Sequence, residues 1–162
     1  MTASFVLSHV RDYAAALRET FRVLRPSGEL AVSGWAPPAD PYSAVWRECL
    51  ADAISKEEVE RALAEIVPSE THFSERGRLE SALTEAGFSI GASEAPEFEF
   101  ILTVDEFIED RELSSGGRLG RHLLGTVCWA RFCATARERI FGNFGSPLTY
   151  RTRALIVTGR KP

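Results

Sequence analysis

His9 is the residue whose type and setting suggest acid–base chemistry. It follows a short apolar run, Ala3-Ser4-Phe5-Val6-Leu7, and stands in the step Ser8-His9-Val10 before Asp12. An imidazole with a reference pKa of about 6.5 can orient or deprotonate a substrate hydroxyl near neutral pH. The plainer alternative is a loop histidine bonded to backbone, and the sequence leaves both open. Trp35 and Trp46 are similarly ambiguous: they could line a pocket for a small molecule, or serve as core aromatics. His72 and His122 show no partner pattern and are assigned no role. Cys49, Cys128 and Cys133 lack metal-ligand spacing, so no metal is expected. Cys128 and Cys133 lie five apart among Val127, Trp129 and Phe132, and read as small buried hydrophobes.

These residues must be positioned by the elements around them. The run Ala3–Leu7 has the length and apolarity of a buried strand. Asp12 then stands where a helix cap belongs, before a helix expected from Tyr13 to Leu24 with Leu17, Phe21 and Leu24 on one face. Pro26-Ser27-Gly28 stops it, and Glu29–Trp35 is a second strand. Helices are expected over 42–54 and 56–66, an irregular stretch over 68–74, and a helix over 74–86 with Ser74 as its cap and Gly87 as its stop. Residues 88–102 read as one strand. Thr103-Val104-Asp105-Glu106 is a capping box opening a helix that Ser114-Ser115-Gly116-Gly117 should break. A long helical region bent near Gly125 fills 118–141, a turn follows over 142–147, and a strand closes the chain over 150–158. Strands separated by helices define an α/β sheet with helices on its faces.

The chain has 162 residues, 44% hydrophobic and 26% charged, the balance of one globular domain. A net charge of −4 gives no general reason to bind nucleic acid or anionic lipid. Arg118, Arg121, Arg131, Arg137 and Arg139 crowd one segment, but on a helix that also carries Glu138 they read as a solvated face. No apolar run spans a bilayer, and the start lacks the layout of a signal peptide, so a cytoplasmic protein without a membrane partner is expected.

Several of these pieces, in this order, carry a family likeness. Ala3 to Val10, Asp12, Ala16-Leu17-Arg18-Glu19, and Arg22-Val23-Leu24-Arg25-Pro26-Ser27-Gly28-Glu29-Leu30 resemble the fourth strand, following helix and fifth strand of class I S-adenosylmethionine (SAM) methyltransferases of the quinone-biosynthesis type. Ser27 stands where the first of two glycines is usual. Leu79 to Phe88 resembles the helix before the sixth strand, and Arg153 to Lys161 the terminal seventh strand. Residues 37–74 and 105–147 match by position only, as cap-like helical insertions.

The resemblance implies a partial Rossmann-like sheet, strands four to seven with the last antiparallel, in one domain over 1–162. It places Ser4 and Phe5 beside SAM, with Ser8, His9 and Val10 as the loop at the carboxyl end of that strand. It makes His9 the candidate catalytic base, and Trp35 and Trp46 the candidate contacts to a small-molecule methyl acceptor. The glycine-rich turn after a first strand and the acid ending a second, which hold most of the cofactor in the family, have no counterpart. That portion would need roughly 80–110 residues at ~30 or more per β-α-β unit. The chain is therefore expected to be a C-terminal half, through a start assigned inside a longer frame or as a natural short protein, with weak or absent SAM binding alone. A non-catalytic remnant or accessory subunit is the second expectation. Either way residues 3–7 would form an exposed edge open to dimerisation or a partner strand.

Overall fold

A computed structural model describes residues 1–162, apart from the side chains of Glu70 and Thr71. Strand β1 (Thr2–Ser4) leads through a 3-10 turn at Leu7–His9 into α1 (Tyr13–Val23) and β2 (Glu29–Trp35). Helices α2 (Pro41–Ala53), α3 (Lys56–Ile66), α4 (Glu70–Phe73) and α5 (Arg76–Glu85) follow. Then come β3 (Ser89–Glu94), β4 (Glu97–Leu102), α6 (Val104–Leu113), α7 (Ser115–Phe144) and β5 (Leu148–Arg160). The fold is mixed α/β with a five-stranded sheet in the order β1-β2-β5-β3, and β4 also pairs with β5. The chain divides into two compact units: Met1–Pro37 with Val67–Phe98 and Thr152–Pro162, and Pro38–Ile66 with Glu99–Arg151.

In the first unit, β1 runs parallel to β2, with Ser4 opposite Ser33. β5 is antiparallel to β2 and to β3, so β3 points the same way as β1 and β2. α1 forms where expected because the Asp12 carboxylate accepts the Ala15 N–H at 2.8 Å, satisfying a donor the helix leaves free. Its apolar stripe puts Leu17 into a core with Leu30, Val32, Leu79, Leu83, Phe88 and Val157. Each such side chain contributes about 1.5–3 kcal/mol by leaving water.

The second unit is built on helices. Trp46, Phe107, Ile108, Trp129, Phe132, Ala136 and Ile140 are buried together. The capping box of α6 is formed: Thr103 Oγ1 accepts the Glu106 N–H at 3.2 Å, and the Glu106 carboxylate accepts the Thr103 N–H at 2.7 Å. α7 bends at Gly125, whose φ of 70° and ψ of 168° no helix contains and which glycine alone adopts cheaply.

Several expectations are corrected. The first strand ends at Ser4 rather than Leu7, because Phe5 turns into the left-handed region (φ 53°) and Leu7 opens the 3-10 turn. The strand expected over 88–102 is two strands, divided at Ala95-Pro96; proline lacks the N–H a continuous ladder requires. α5 starts after Glu75, and Ser74 is not its cap. Ser114-Ser115-Gly116-Gly117 ends one helix but starts the next: Ser114 Oγ accepts the Gly117 N–H at 3.0 Å, and Gly117 lies against the Arg111 carbonyl, where a Cβ would collide. α7 continues to Phe144, through part of the expected turn.

Ser27 sits at φ 59°, the conformation that favours the glycine usual at this position in the resemblance. Ser27→Gly is expected to stabilise the protein by about 0.5–1 kcal/mol, the ~1–2 kcal/mol left-handed strain less the entropy of the glycine chain. Urea denaturation would show a higher midpoint. Hydrogen bonds from the Thr103 N–H and then the Thr103 hydroxyl hold the Glu106 carboxyl below the usual glutamate range. A depressed folded pKa stabilises above the unfolded value and is lost as pH falls through the folded one. Thr103→Ala is therefore expected to be destabilising at neutral pH, with the gap to wild type narrowing below the ordinary glutamate range in urea melts at successive pH values.

Candidate functional site

The carboxyl ends of the parallel strands β1 and β2 lie side by side, the position at which open α/β sheets bind ligands. Backbone bonding there is unusual. The Phe5 N–H donates to both the carbonyl of Ser33 (3.2 Å) and its hydroxyl (3.1 Å). Ser4 Oγ and Ser33 Oγ lie 3.3 Å apart, a hydroxyl pair across the two strands. With the backbone turned at Phe5, its ring stacks on Trp35 at 4.2 Å and 14°. Trp35 remains 49% exposed, so the pair presents a flat apolar face.

The turn beyond is anchored by Leu7, which is buried with Leu17 and Phe73. The His9 N–H donates to the Val6 carbonyl at 2.9 Å, and the Val10 N–H to the Leu7 carbonyl at 3.1 Å. The Ser8 carbonyl accepts the Ser69 N–H at 3.1 Å, tying the turn to the segment that enters α4. His9 itself is exposed. Thus Ser4 ends β1, and Phe5, Ser8, His9 and Val10 lie on the stretch that follows it, with Trp35 stacked on Phe5. Trp46 is elsewhere, 5% exposed in the core of the second unit, edge-on to Trp129 at 5.8 Å and to Phe132 at 4.6 Å.

Sequence reasoning passed over Ser33 and His72. His72 Nε2 lies 3.3 Å from the hydroxyl of Tyr13, the first residue of α1, and the rings stack at 5.2 Å. Its Nδ1 lies 3.3 Å from Arg78 Nη1. Tyr13 and His72 are distant in sequence, so no local pattern could have joined them. The available signal was a tyrosine opening the helix that follows the loop.

The second unit has an open groove of about 340 Å3 lined by Cys49, Asp52, Cys128, Arg131, Phe132 and Arg139 among others. Arg139 donates to Asp52 at 2.9 Å, and Arg137 is paired with Asp105. Burial pushes the Cys49 thiol up, and burial with the Glu112 carboxylate pushes Cys133 up to about 12. Cys128, expected to be buried, is exposed: residues five apart on a helix sit about 140° round from one another, so it cannot share the inward face of Cys133. Among the described residues no three His, Cys, Asp or Glu side chains cluster as metal ligands, and no helix is long and apolar enough to cross a membrane.

The fold has relatives among solved structures. Over 98% of its length the chain matches a candidate type II methyltransferase from Anaeromyxobacter dehalogenans, with 21% identity and a TM-score of 0.56. Over 99% it matches a candidate methyltransferase from Bacillus halodurans C-125, with 16% identity and a TM-score of 0.52. The chain spans 63% of the length of each. At these identities the likeness establishes a methyltransferase-like α/β fold. No protein-family model and no curated protein sequence matches the chain.

The cysteine environments give a direct expectation. At pH 8 the native protein should react with a thiol-specific disulfide reagent at Cys128 and spare Cys49 and Cys133, with all three reacting after denaturation. Thiol titration followed by peptide mapping checks this.

Proposed function

We propose that the chain is the C-terminal part of a class I SAM-dependent methyltransferase acting on a small molecule, and that these residues alone do not catalyse. The observation that carries the reading is the sheet: β1 and β2 run parallel through α1, and the last strand enters antiparallel between β2 and β3. An antiparallel last strand is what the sequence resemblance calls for, and the two structural relatives support a methyltransferase-like fold.

SAM, when bound, supplies its methyl group as an electrophile. Ser4 to Val10 would contribute one wall of its site at the strand ends. The residues fit that part and no more, since no glycine-rich turn follows a strand among them. Gly116, Gly117 and Gly142 lie within α7, and Gly145 closes it. The free edge of β1 supports a further strand there, from a glycine-rich portion or from another chain, because among the described residues β1 pairs with β2 alone. Positioning is what these residues can offer an in-line displacement, through the Ser4–Ser33 pair, the Phe5–Trp35 stack and the turn. His9, exposed on that turn, is the candidate base for a proton leaving an acceptor.

A non-catalytic role is the second reading, favoured by the backbone donor of Phe5 being spent on Ser33. One titration separates the two. Calorimetry should detect no micromolar SAM affinity for the 162 residues, while millimolar SAM should shift amide resonances at residues 4–10 in NMR spectra. Tight saturable binding would overturn the proposed incompleteness. Shifts absent from 4–10 would overturn the cofactor wall and leave the non-catalytic reading.

A further inference from the structure

The part of α7 beyond Gly125, residues 126–144, has two faces that differ in kind. Trp129, Phe132, Cys133, Ala136 and Ile140 point into the core of the second unit. At about 100° per residue, the side chains opposite them are Val127, Arg131, Ala134, Glu138 and Phe141. Their spacing of four, three, four and three residues is the heptad seam by which one helix packs on another, drifting only ~20° per heptad. All five are exposed. Val127 at 75% is the most exposed large apolar side chain among the described residues, and Phe141 stands at 59%. Single exposed apolar residues are ordinary on a surface. The order in which these two stand, with charges between them, is what points to a partner.

The charges on this stripe are unspent. Arg137 and Arg139, on either side of Glu138, pair with Asp105 and Asp52. Among the described residues Arg131 and Glu138 have no salt-bridge partner. Seven positions apart, they are separated by roughly 10 Å along the helix axis and do not meet each other. The sequence apolar, cation, small, anion, apolar is its own complement when reversed about Ala134. Laid antiparallel on a second copy, about a twofold axis through Ala134, the stripe sets Val127 against Phe141 and Arg131 beside Glu138, each contact occurring twice. The small side chain of Ala134 at the crossing lets the two backbones approach closely. A parallel pairing would oppose like charges. Reversal symmetry is what a copy of the same helix requires and an unrelated partner does not.

We infer that residues 127–141 of α7 form a self-complementary surface through which two copies of this chain associate, helix antiparallel to helix. This goes beyond the proposed function and does not depend on it. It also differs from association through the free edge of β1, which would join copies by strand pairing.

A single helix pair is a small interface, so the dissociation constant should be on the order of 10–100 μM. Sedimentation velocity on the full chain over a concentration series checks this. Arg131→Glu and Glu138→Arg each set like charges together at two places in the dimer and should weaken association at least about tenfold. Mixing these two variants restores opposite charges and should recover a heterodimer of near wild-type affinity. The double variant, Arg131→Glu with Glu138→Arg, should recover a homodimer in the same way. Both side chains are exposed, so urea midpoints taken at low concentration should not move. A wild type that stays monomeric at about 1 mM would overturn the inference. So would single variants that dimerise as wild type does, which would point instead to the edge of β1. A mixture and a double variant as weak as the single variants would overturn the antiparallel pairing itself.

Discussion

β5 is hydrogen-bonded along both edges, to β2 from Arg160 opposite Glu29 to Ala154 opposite Trp35, and to β3 on the other side. A strand so placed cannot slip by one residue without moving its buried side chains to the wrong face. Leu155 and Val157 would leave the core they share with Leu30 and Val32. The constraint reaches α1 as well. Beyond the strand, Lys161 Nζ donates to the carbonyls of Phe21 at 2.6 Å and Leu24 at 2.8 Å, and lies 4.8 Å from the Phe21 ring centre. Those carbonyls end the helix without intrahelical partners, and a cation is favoured at the negative end of its dipole. The register of β5 thus fixes β2 and the far end of α1 together, and with them the strand ends where the turn at residues 5–10 is built.

The turn depends in its own way on β2. A non-glycine residue in the left-handed region carries a strain of about 1–2 kcal/mol. Phe5 adopts it with an N–H that donates to both oxygens of Ser33 and a ring stacked on Trp35. Hydrogen bonding and stacking offset the strain, and the result is a chain leaving the sheet sharply enough for Leu7 to reach the core and for His9 to face solvent. Strain held at the end of a strand is common where a fold must present side chains to a ligand.

Much of this was legible in the sequence, and the failures have physical causes. β2 and α3 have the bounds that apolar runs and charge patterning gave, since both signals are local. The same holds for the Asp12 cap, the Thr103–Glu106 box and the bend at Gly125. The end of β1 was not legible, because nothing in Phe5-Val6-Leu7 announces a positive φ that Ser33 and Trp35 sustain from a distant strand. Pro96 was present in the sequence but outweighed by the apolar alternation around it. The double role of Ser114 hid behind Gly116-Gly117, which read as a break although Gly117 serves close helix contact. Within the candidate site, the residues of the turn came from the resemblance. His72 could not, since its partners Tyr13 and Arg78 sit on two different helices.

The two sides of the turn differ chemically, and the difference bears on which reaction this fold would suit. On the Phe5 side the N–H and the serine hydroxyls are engaged with one another, and what faces outward is a flat uncharged pair of rings. On the Tyr13 side, His72 stands between the Tyr13 hydroxyl and Arg78, which is ion-paired with Glu75. A fold alone specifies no reaction, so this asymmetry has to carry the argument. Transfer of an alkyl group from a cationic donor to an anionic oxygen neutralises two charges, and its transition state is less strongly solvated by water than its reactants. Apolar walls that exclude water favour such a step, provided that the anion is first held by something other than water. The Phe5–Trp35 face meets the first of these demands.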